Sequence, residues 1–169
     1  MAQAFPLAKI LDRFEGRVSE DTTVTDVPCL RAAPGDLLEL CYFLRDDPAL
    51  QFDFLSDICG VDYHPNTPRF LLVYQMFSVP HNWRLRLKCP LSDPPTVPTV
   101  TPVWTTANWH EREAYDMYGI AIEGHPDLRR IYMWEAFDGF PMRRDFPLRG
   151  YKDDCNPLGV PKPDVRGKP

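Results

Sequence analysis

The sequence has no apolar run long enough to cross a membrane as a helix, and its cysteines are not spaced like those of a redox centre. The five cysteines are scattered, and the closest two, Cys29 and Cys41, are 12 positions apart. An iron–sulfur cluster needs closely spaced thiolates, so we expect this chain alone to hold none. The odd number and wide spacing indicate free thiols in a reducing compartment.

Several other sites are also missing from the sequence. It has no glycine-rich dinucleotide or phosphate loop and no Gly-x-Ser-x-Gly nucleophile turn. Cys59 and His64 are close in sequence, as a nucleophile and its base could be. Cys59, however, lies in an apolar run, where a buried thiol is the usual state. The first ten residues show neither a secretory nor a transit pattern, so we expect no targeting signal.

What is present fits one globular domain: 169 residues, 44% hydrophobic and 25% charged. The charge is uneven. Residues 1–128 carry 10 basic and 18 acidic side chains, whereas residues 129–169 carry 9 basic and 6 acidic ones. We therefore predict a domain over 1–150 and an extended, proline-rich docking tail over 151–169 that meets an acidic or mixed partner surface.

Periodicity predicts the main elements. We expect a helix over 5–14, an edge strand over 18–30, and a second helix that starts near Pro34 with Asp36 as its cap. Residues 52–61 read as a short helix running into a strand, and residues 69–77 and 83–89 as strands. Residues 90–102 read as a loop, and a third helix is predicted from Asn108 to Tyr118, capped by Asn108 with Glu111 and ended by Gly119. A short strand is predicted over 120–122.

One face of the strand at 83–89 is cationic, with Arg84, Arg86 and Lys88 alternating with apolar residues. Such a face could bind nucleic acid, but a solvated or partner-facing strand is the more common case. The acidic balance of the domain also argues against nucleic acid as a partner.

Residues 108–151 are dense in acids, arginines, histidines and aromatics. His110 and Glu111 begin like a zinc-binding His-Glu-x-x-His helix, but position 114 is alanine. A zinc hydrolase would need His125 from the following loop, with Glu111 or Glu113 as base. Arg112 and Asp116 are i, i+4 neighbours that can pair on a helix. The composition favours a network of ion pairs and aromatic anchors, as in a docking surface, over an active site.

Three runs in this region and upstream of it carry a resemblance. The first is Glu111-Arg112-Glu113-x-x-Asp116-x-Tyr118-Gly119-Ile120, followed by Gly124-His125-Pro126-Asp127-Leu128-Arg129-Arg130-Ile131. The second is Pro141-Met142-Arg143-Arg144-Asp145-Phe146-Pro147-Leu148-x-Gly150-Tyr151, and the third is the upstream Asp57-Ile58-Cys59-Gly60-Val61-Asp62-Tyr63. Together they resemble the signatures of the C-type, or 30 kDa, subunit family of proton-pumping NADH:quinone oxidoreductase, respiratory complex I. The same family includes the mitochondrial iron–sulfur protein 3 and the photosynthetic J-type subunit.

The resemblance implies an α+β fold, with a small mostly antiparallel or mixed sheet, flanking helices and an extended C-terminal tail. It implies a non-catalytic subunit of the peripheral arm, on the cytoplasmic face of the cell inner membrane, that holds no cofactor. FMN, iron–sulfur clusters and quinone would belong to partner subunits. The partners would be the large D-type subunit, which holds the quinone site, and the B-type and I-type iron–sulfur subunits, with membrane contact only through the complex. A related hydrogenase, F420-type or photosynthetic complex is the alternative setting.

The residues carried over from the family form two sets. The signature set is expected to be structural: Glu111, Arg112, Glu113, Asp116, Gly119, His125, Pro126, Asp127, Arg129 and Arg130. The second set is expected to dock onto partners: Arg143, Arg144, Asp145, Phe146, Pro147, Leu148, Gly150 and Tyr151. No catalytic, cofactor-binding or metal-binding residue is expected. Among the charges, we predict that Arg112, Glu113 and Asp116 brace the motif internally, while Arg143, Arg144 and Asp145 face partners.

Overall fold

Two neighbouring strands at the centre of the fold differ in pattern: residues 83–89 alternate between apolar and polar side chains, whereas residues 70–78 are almost wholly apolar. This computed structural model describes residues 5–23 and 25–162. The helices are α1 (Leu7–Arg13), α2 (Pro34–Asp46) and α3 (Ala107–Tyr118). The strands are β1 (Val18–Glu20), β2 (Cys29–Ala32), β3 (Phe54–Asp62), β4 (Phe70–Ser78), β5 (Trp83–Leu91), β6 (Thr96–Pro98) and β7 (Ala121–Glu123).

Five of the strands form one mixed sheet in the order β1-β2-β5-β4-β3. All neighbours are antiparallel except β2 and β5, which run parallel. β6 and β7 form a separate parallel pair. The prediction of an α+β fold with a small mixed sheet and flanking helices is confirmed.

The core lies on one face of the large sheet. In β5, Leu85, Leu87 and Cys89 are buried, as their alternation predicts, and they join Tyr74 of β4 in the same cluster. The apolar stripe of α2 enters this cluster through Leu37, Leu40, Cys41 and Leu44. The helices therefore cover one face of the sheet, and the cationic face of β5 is turned away from the core.

Three predictions about the strands are wrong. Residues 18–30 form two antiparallel strands, β1 and β2, because the chain turns back between them. Residues 52–61 contain no helix, since β3 follows the bonded turn around Gln51 and pairs with β4. The predicted loop over 90–102 contains β6, which uses proline at its last position, where a missing N–H is tolerated at an edge.

The predicted helix caps are also wrong, although the helices are present. Ala33 occupies the N-cap of α2, and Asp36 lies inside the helix, where it pairs with Arg17 at 3.1 Å. Thr106 occupies the N-cap of α3, so Asn108 lies within the helix. The end of α3 is as predicted, because Gly119 is in the left-handed conformation with φ of +69°.

The predicted tail is described only in part. Tyr151 and Val160 form an isolated β-bridge that closes residues 151–160 into a loop, and residues 163–169 lie outside the described residues. Within residues 5–23 and 25–162, no helix has both the length and the apolar character that crossing a bilayer requires.

Candidate functional site

Two glycines allow α3 and the segment after it to pack tightly against the sheet. A Cβ at Gly60 of β3 would lie 2.5 Å from the ring of Tyr118, so the ring rests directly on the strand backbone. A Cβ at Gly119 would lie 2.5 Å from the ring of Phe140 and 2.7 Å from the guanidinium of Arg143. Glycine is therefore required at both positions for steric reasons.

Asp116 organises the turn that follows β7. Its side chain is fully buried and accepts hydrogen bonds from the backbone N–H groups of Ile131, Tyr132 and Met133 at 3.0, 2.7 and 3.0 Å. Its other oxygen accepts from Arg130 at 2.8 Å. Burial alone would raise the pKa of Asp116, but these hydrogen bonds outweigh it and lower the pKa. The carboxylate is thus a structural anion.

Arg130 extends this arrangement to the next loop. Besides Asp116, it donates to the carbonyl oxygens of Phe137 at 3.3 Å and Gly139 at 3.1 Å, and it lies over the rings of Phe137 and Phe140. One guanidinium therefore joins α3 to residues 137–140. The predicted i, i+4 pair is not formed, because Arg112 instead donates to the carbonyl oxygen of Arg129 at 3.2 Å.

Glu111 is buried and ties α3 to the small sheet. It accepts hydrogen bonds of 2.6 Å from the Thr99 hydroxyl and 2.6 Å from the Val100 N–H, just after β6. The capping role predicted for Glu111 is therefore wrong. Burial raises the pKa of Glu111 to about 7, and the two hydrogen bonds offset only part of the rise.

His125 also contacts Glu111, and it joins the turn after β7 to α3. Its Nδ1 accepts from the N–H of Asp127 at 3.0 Å, which leaves Nε2 to donate to the carbonyl oxygen of Asn108 at 3.2 Å. Burial lowers the pKa of His125, so the ring is neutral near pH 7. Asp127 also pairs with Arg129 at 2.9 Å on the exposed surface.

A second charged cluster holds the start of the predicted docking residues against the sheet. Arg69 binds Asp62 through two hydrogen bonds of 2.9 Å and contacts Asp145 at 2.8 Å. The backbone N–H of Arg144 also donates to Asp62 at 2.9 Å. Burial works to raise the pKa of Asp62, but these donors hold it well below its usual range.

The structure does not divide the charged residues into internal and exposed groups in the way that the sequence predicted. Arg143 donates to the carbonyl oxygen of Tyr118 at 2.6 Å and stacks on Phe140, so it is engaged within the chain, as is Asp145. Glu113, which was predicted to brace the motif internally, is exposed, and among the described residues its carboxylate accepts one hydrogen bond, from the Tyr132 hydroxyl at 3.3 Å. Contact of Arg143, Arg144 and Asp145 with partners stays a prediction.

The residues proposed for a zinc hydrolase do not come together as a set of metal ligands. His110 pairs with Asp57 at 3.0 Å beside β3, whereas His125 contacts Asn108 and the buried Glu111. In the described part of the chain, no group of three His, Cys, Asp or Glu residues could hold a metal ion. The expectation of a buried Cys59 is wrong, because the residue is exposed on β3. Partial desolvation of its thiol, and then the hydrogen bond to Asp57, raise the pKa of Cys59 to about 12, so that thiol is not an activated nucleophile.

The cationic face of β5 is largely paired with acids. Lys88 binds the buried carboxylate of Asp21 at 2.7 Å, and Arg86 binds Asp26 at 3.1 Å. Arg84 alone of the three is exposed. Pairing of this kind lowers the positive potential that nucleic-acid binding requires.

Exposed apolar side chains concentrate in one region. Nine large hydrophobic residues are exposed among the described residues, and six of them lie between positions 109 and 158: Trp109, Tyr132, Trp134, Met142, Leu148 and Leu158. The other three are Phe54, Tyr63 and Val79. Large apolar groups exposed at this density along one segment of the chain are typical of an interaction surface.

The predicted docking set meets this surface only in part. Leu148 is fully exposed, whereas Phe146 packs between Phe137 and Tyr151 at ring-centre distances of 5.9 and 5.2 Å. Pro147 and Gly150 are half-buried, or nearly so, and the Gly150 carbonyl accepts a backbone hydrogen bond from Val160. The packed members shape the surface, and the exposed leucine projects from it.

Residues 30–152 match the family described as the 30 kDa subunit of respiratory-chain NADH dehydrogenase. The chain belongs to this family. The match includes both charged clusters, so the network around Asp116 and the contact of Asp62 with Arg69 lie inside the family region. The resemblance read from the sequence is confirmed.

Relatives within this family are close. The chain is 58% identical to the NADH-quinone oxidoreductase C 2 subunit of Rhizobium etli, over 92% of this chain and 83% of that protein. It is 59% identical to the protein of the same name from Rhizobium meliloti, over 93% and 86%. Identity to the NADH-quinone oxidoreductase C subunit of Coxiella burnetii is 42%, over 83% and 76%.

A solved structure has the same fold. The structure of the membrane-bound sulfane sulfur reductase, described as an archaeal respiratory membrane complex, contains a chain that superposes with a TM-score of 0.69. The alignment covers 84% of each chain at 19% identity. At that identity the likeness shows a shared fold only.

Sequence reasoning missed the partners of the motif acids. The hydroxyl and N–H that bind Glu111 come from residues 99 and 100, in a stretch read as a loop. Asp62 and Arg69 lie in or beside one of the family runs, but no spacing rule connects them with residues 144 and 145.

Proposed function

We propose that this chain is the C-type subunit of an NADH:quinone oxidoreductase, and that it supplies a docking surface to the complex rather than a redox centre. Two relatives at 58–59% identity, each named as the C 2 subunit of NADH-quinone oxidoreductase, support this setting over a hydrogenase or photosynthetic complex. The chain would sit in the peripheral arm on the cytoplasmic face of the membrane. FMN, iron–sulfur clusters and quinone would be held by its partners.

One observation carries the docking role. The motif charges are used inside the chain, where Asp116, Glu111 and Asp62 bind buried partners, while the same segment exposes six large hydrophobic side chains. A segment that uses its charges for its own rigidity and turns aromatics outward is built to be covered. We propose the large D-type subunit as the principal partner, with the B-type and I-type iron–sulfur subunits beside it.

Leu148 and Leu158 offer a direct test, because both are largely exposed in the described part of the chain, at 104% and 85%. Aspartate at either position should leave the fold intact and place a charge in a desolvated contact. The tagged full-length chain would be purified from native membranes, and co-purifying subunits and NADH:quinone reductase activity would be measured. We expect Leu148→Asp and Leu158→Asp to reduce both readouts severalfold.

Val79→Asp is the matched control, since Val79 is 60% exposed in the turn between β4 and β5 and lies outside residues 109–158. It should leave co-purification unchanged. Equal losses for the control and the two leucine variants would contradict a docking surface at residues 109–158. A wild-type chain that brings down no oxidoreductase subunit would contradict the proposed function itself.

A further inference from the structure

The edge strand β3 has backbone groups that no part of the described chain binds. Within the large sheet β3 pairs only with β4. The Tyr63 N–H donates to the carbonyl oxygen of Arg69 at 2.7 Å, which sets the alternation along the antiparallel pair. Cys59 and Val61 therefore point their backbone groups toward β4, whereas Ile58 and Gly60 point theirs away.

The pairing of β4 with β5, on the side of β4 away from β3, gives the same alternation. The Arg86 N–H donates to the carbonyl oxygen of Pro28 at 3.0 Å, so Arg86 faces β2, and its neighbours in β5 face β4. Among residues 5–23 and 25–162, no hydrogen bond reaches the N–H or C=O of Ile58 or Gly60 from the free edge. The row of unpaired groups is a template for another strand.

A cleft lies between the free edge of β3 and α3, next to the point where the Tyr118 ring contacts Gly60. The cleft has a volume of about 390 Å³, and residues 57–60 line one side of it. Its wall on the helix consists of Glu113, Ala114, Met117 and Tyr118, and its outer rim consists of Tyr132 and Met142. An extended chain placed here would have backbone partners on one side and apolar contacts on the other.

The charge of the cleft is negative. Asp57 and Glu113 both line it, and no lysine or arginine is among its lining residues. Asp57 contacts only His110 and the Cys59 thiol, and Glu113 contacts only the Tyr132 hydroxyl, so neither carboxylate is paired with an arginine or lysine of the described residues. The occupant that complements two such carboxylates carries a cation.

We infer that the free edge of β3 accepts an extended segment of a neighbouring subunit, which pairs as an added strand at Ile58–Gly60 and places a lysine or arginine between Asp57 and Glu113. The inference rests on the proposed function, because it requires the chain to be a subunit of a larger complex. As in other strand additions, backbone hydrogen bonds would give the affinity and side-chain contacts the specificity. Here the two carboxylates would select a segment that carries a positive charge.

Hydrogen exchange of single amides separates strand addition from other ways of covering the cleft. In the isolated full-length chain, the amides of Ile58 and Gly60 should exchange quickly, while those of Cys59 and Val61, bonded to β4, should be protected. In the complex purified from membranes, Ile58 and Gly60 should become protected to the level of their neighbours. Protection of α3 without protection of these two amides would overturn the added strand.

Charge reversal tests whether the carboxylates of the cleft select a positively charged segment. Glu113→Lys should weaken retention of the neighbouring subunit by about tenfold or more, while the isolated variant keeps its thermal stability. Glu20→Lys is the matched control, since Glu20 is an exposed acid on β1, the opposite edge of the sheet, and it should change nothing. Equal retention of wild-type chain and Glu113→Lys would overturn the cation between the carboxylates.

The failure of this inference is distinct from failure of the proposed function. Normal co-purification of oxidoreductase subunits with unprotected Ile58 and Gly60 would overturn the strand addition alone. If the wild-type chain retained no subunit at all, the proposed function would fall and the added strand with it.

Discussion

Replacing Asp116 with alanine should cost more stability than any change to an exposed motif acid. The substitution leaves three backbone N–H groups, those of residues 131–133, and the Arg130 guanidinium without their acceptor. Breaking a buried charge pair costs about 3–5 kcal/mol, and each buried donor left unsatisfied costs about 1–3 kcal/mol. Water can reach Arg130, whose side chain is 13% exposed, and the costs overlap because one carboxylate serves all four donors, so we take the charge-pair cost alone rather than the sum.

The expected loss is therefore about 3–5 kcal/mol in the free energy of unfolding. For a chain of this size, each kcal/mol lowers the melting temperature by roughly 2–4 °C, so the midpoint should fall by roughly 10 °C. Urea and thermal denaturation of the isolated full-length chain, followed by circular dichroism and tryptophan fluorescence, measure the two values. Asp116→Asn should fall between wild type and alanine, because it keeps one acceptor oxygen and loses the charge.

Glu113→Ala is the control on the same helix. Glu113 is exposed and makes one long hydrogen bond, so its removal should change the free energy of unfolding by less than about 0.5 kcal/mol. If Asp116→Ala and Glu113→Ala destabilised the chain equally, the turn at residues 131–133 would not depend on the buried carboxylate. The account of the motif as a rigid internal network would then be wrong.

Three further predictions concern stability in the isolated chain. Because burial raises the pKa of Glu111 from 4.5 to about 7, its folded form holds a proton that the unfolded chain releases, so stability should decrease as pH rises from about 5 to 7 and then level off. Glu111→Gln should flatten that decrease in urea titrations at several pH values. Asp21 behaves oppositely: its pKa is lowered, first by Lys88, so its stabilisation should be lost as pH falls below about 4, and Asp21→Asn should remove this loss. Gly119→Ala should lower the melting temperature by several degrees, because the new Cβ meets Phe140 and the left-handed backbone disfavours alanine.

Local patterns predicted the elements that depend on neighbouring residues. The alternation in β5 places Leu85 and Leu87 in the core, and Gly119 ends α3 as predicted, since both follow from backbone geometry over a few residues. The resemblance in residues 108–151 identified the family, because it rests on residue identities and needs no contacts. These parts of the fold and site were accessible from the sequence.

Local sequence rules did not predict the long-range contacts of the buried acids. Glu111 matched a capping box, but the end of β6 offers it a hydroxyl and an N–H, and a buried acid gains more from these than from an exposed helix end. Arg112 and Asp116 have helical spacing, yet Asp116 turns toward a loop that presents three N–H groups and Arg130 together. Nothing in the local spacing indicates which distant donors will surround an acid.

The central claim is that residues 109–158 form the docking surface of the chain, and oxidative footprinting tests it most directly. Hydroxyl-radical labelling would be compared between the isolated full-length chain and the complex purified from membranes. We predict that Trp109, Tyr132 and Trp134 lose most of their reactivity in the complex, while Tyr63, exposed outside the segment, keeps its own. Unchanged labelling of the three aromatic residues, with Tyr63 protected instead, would contradict the account.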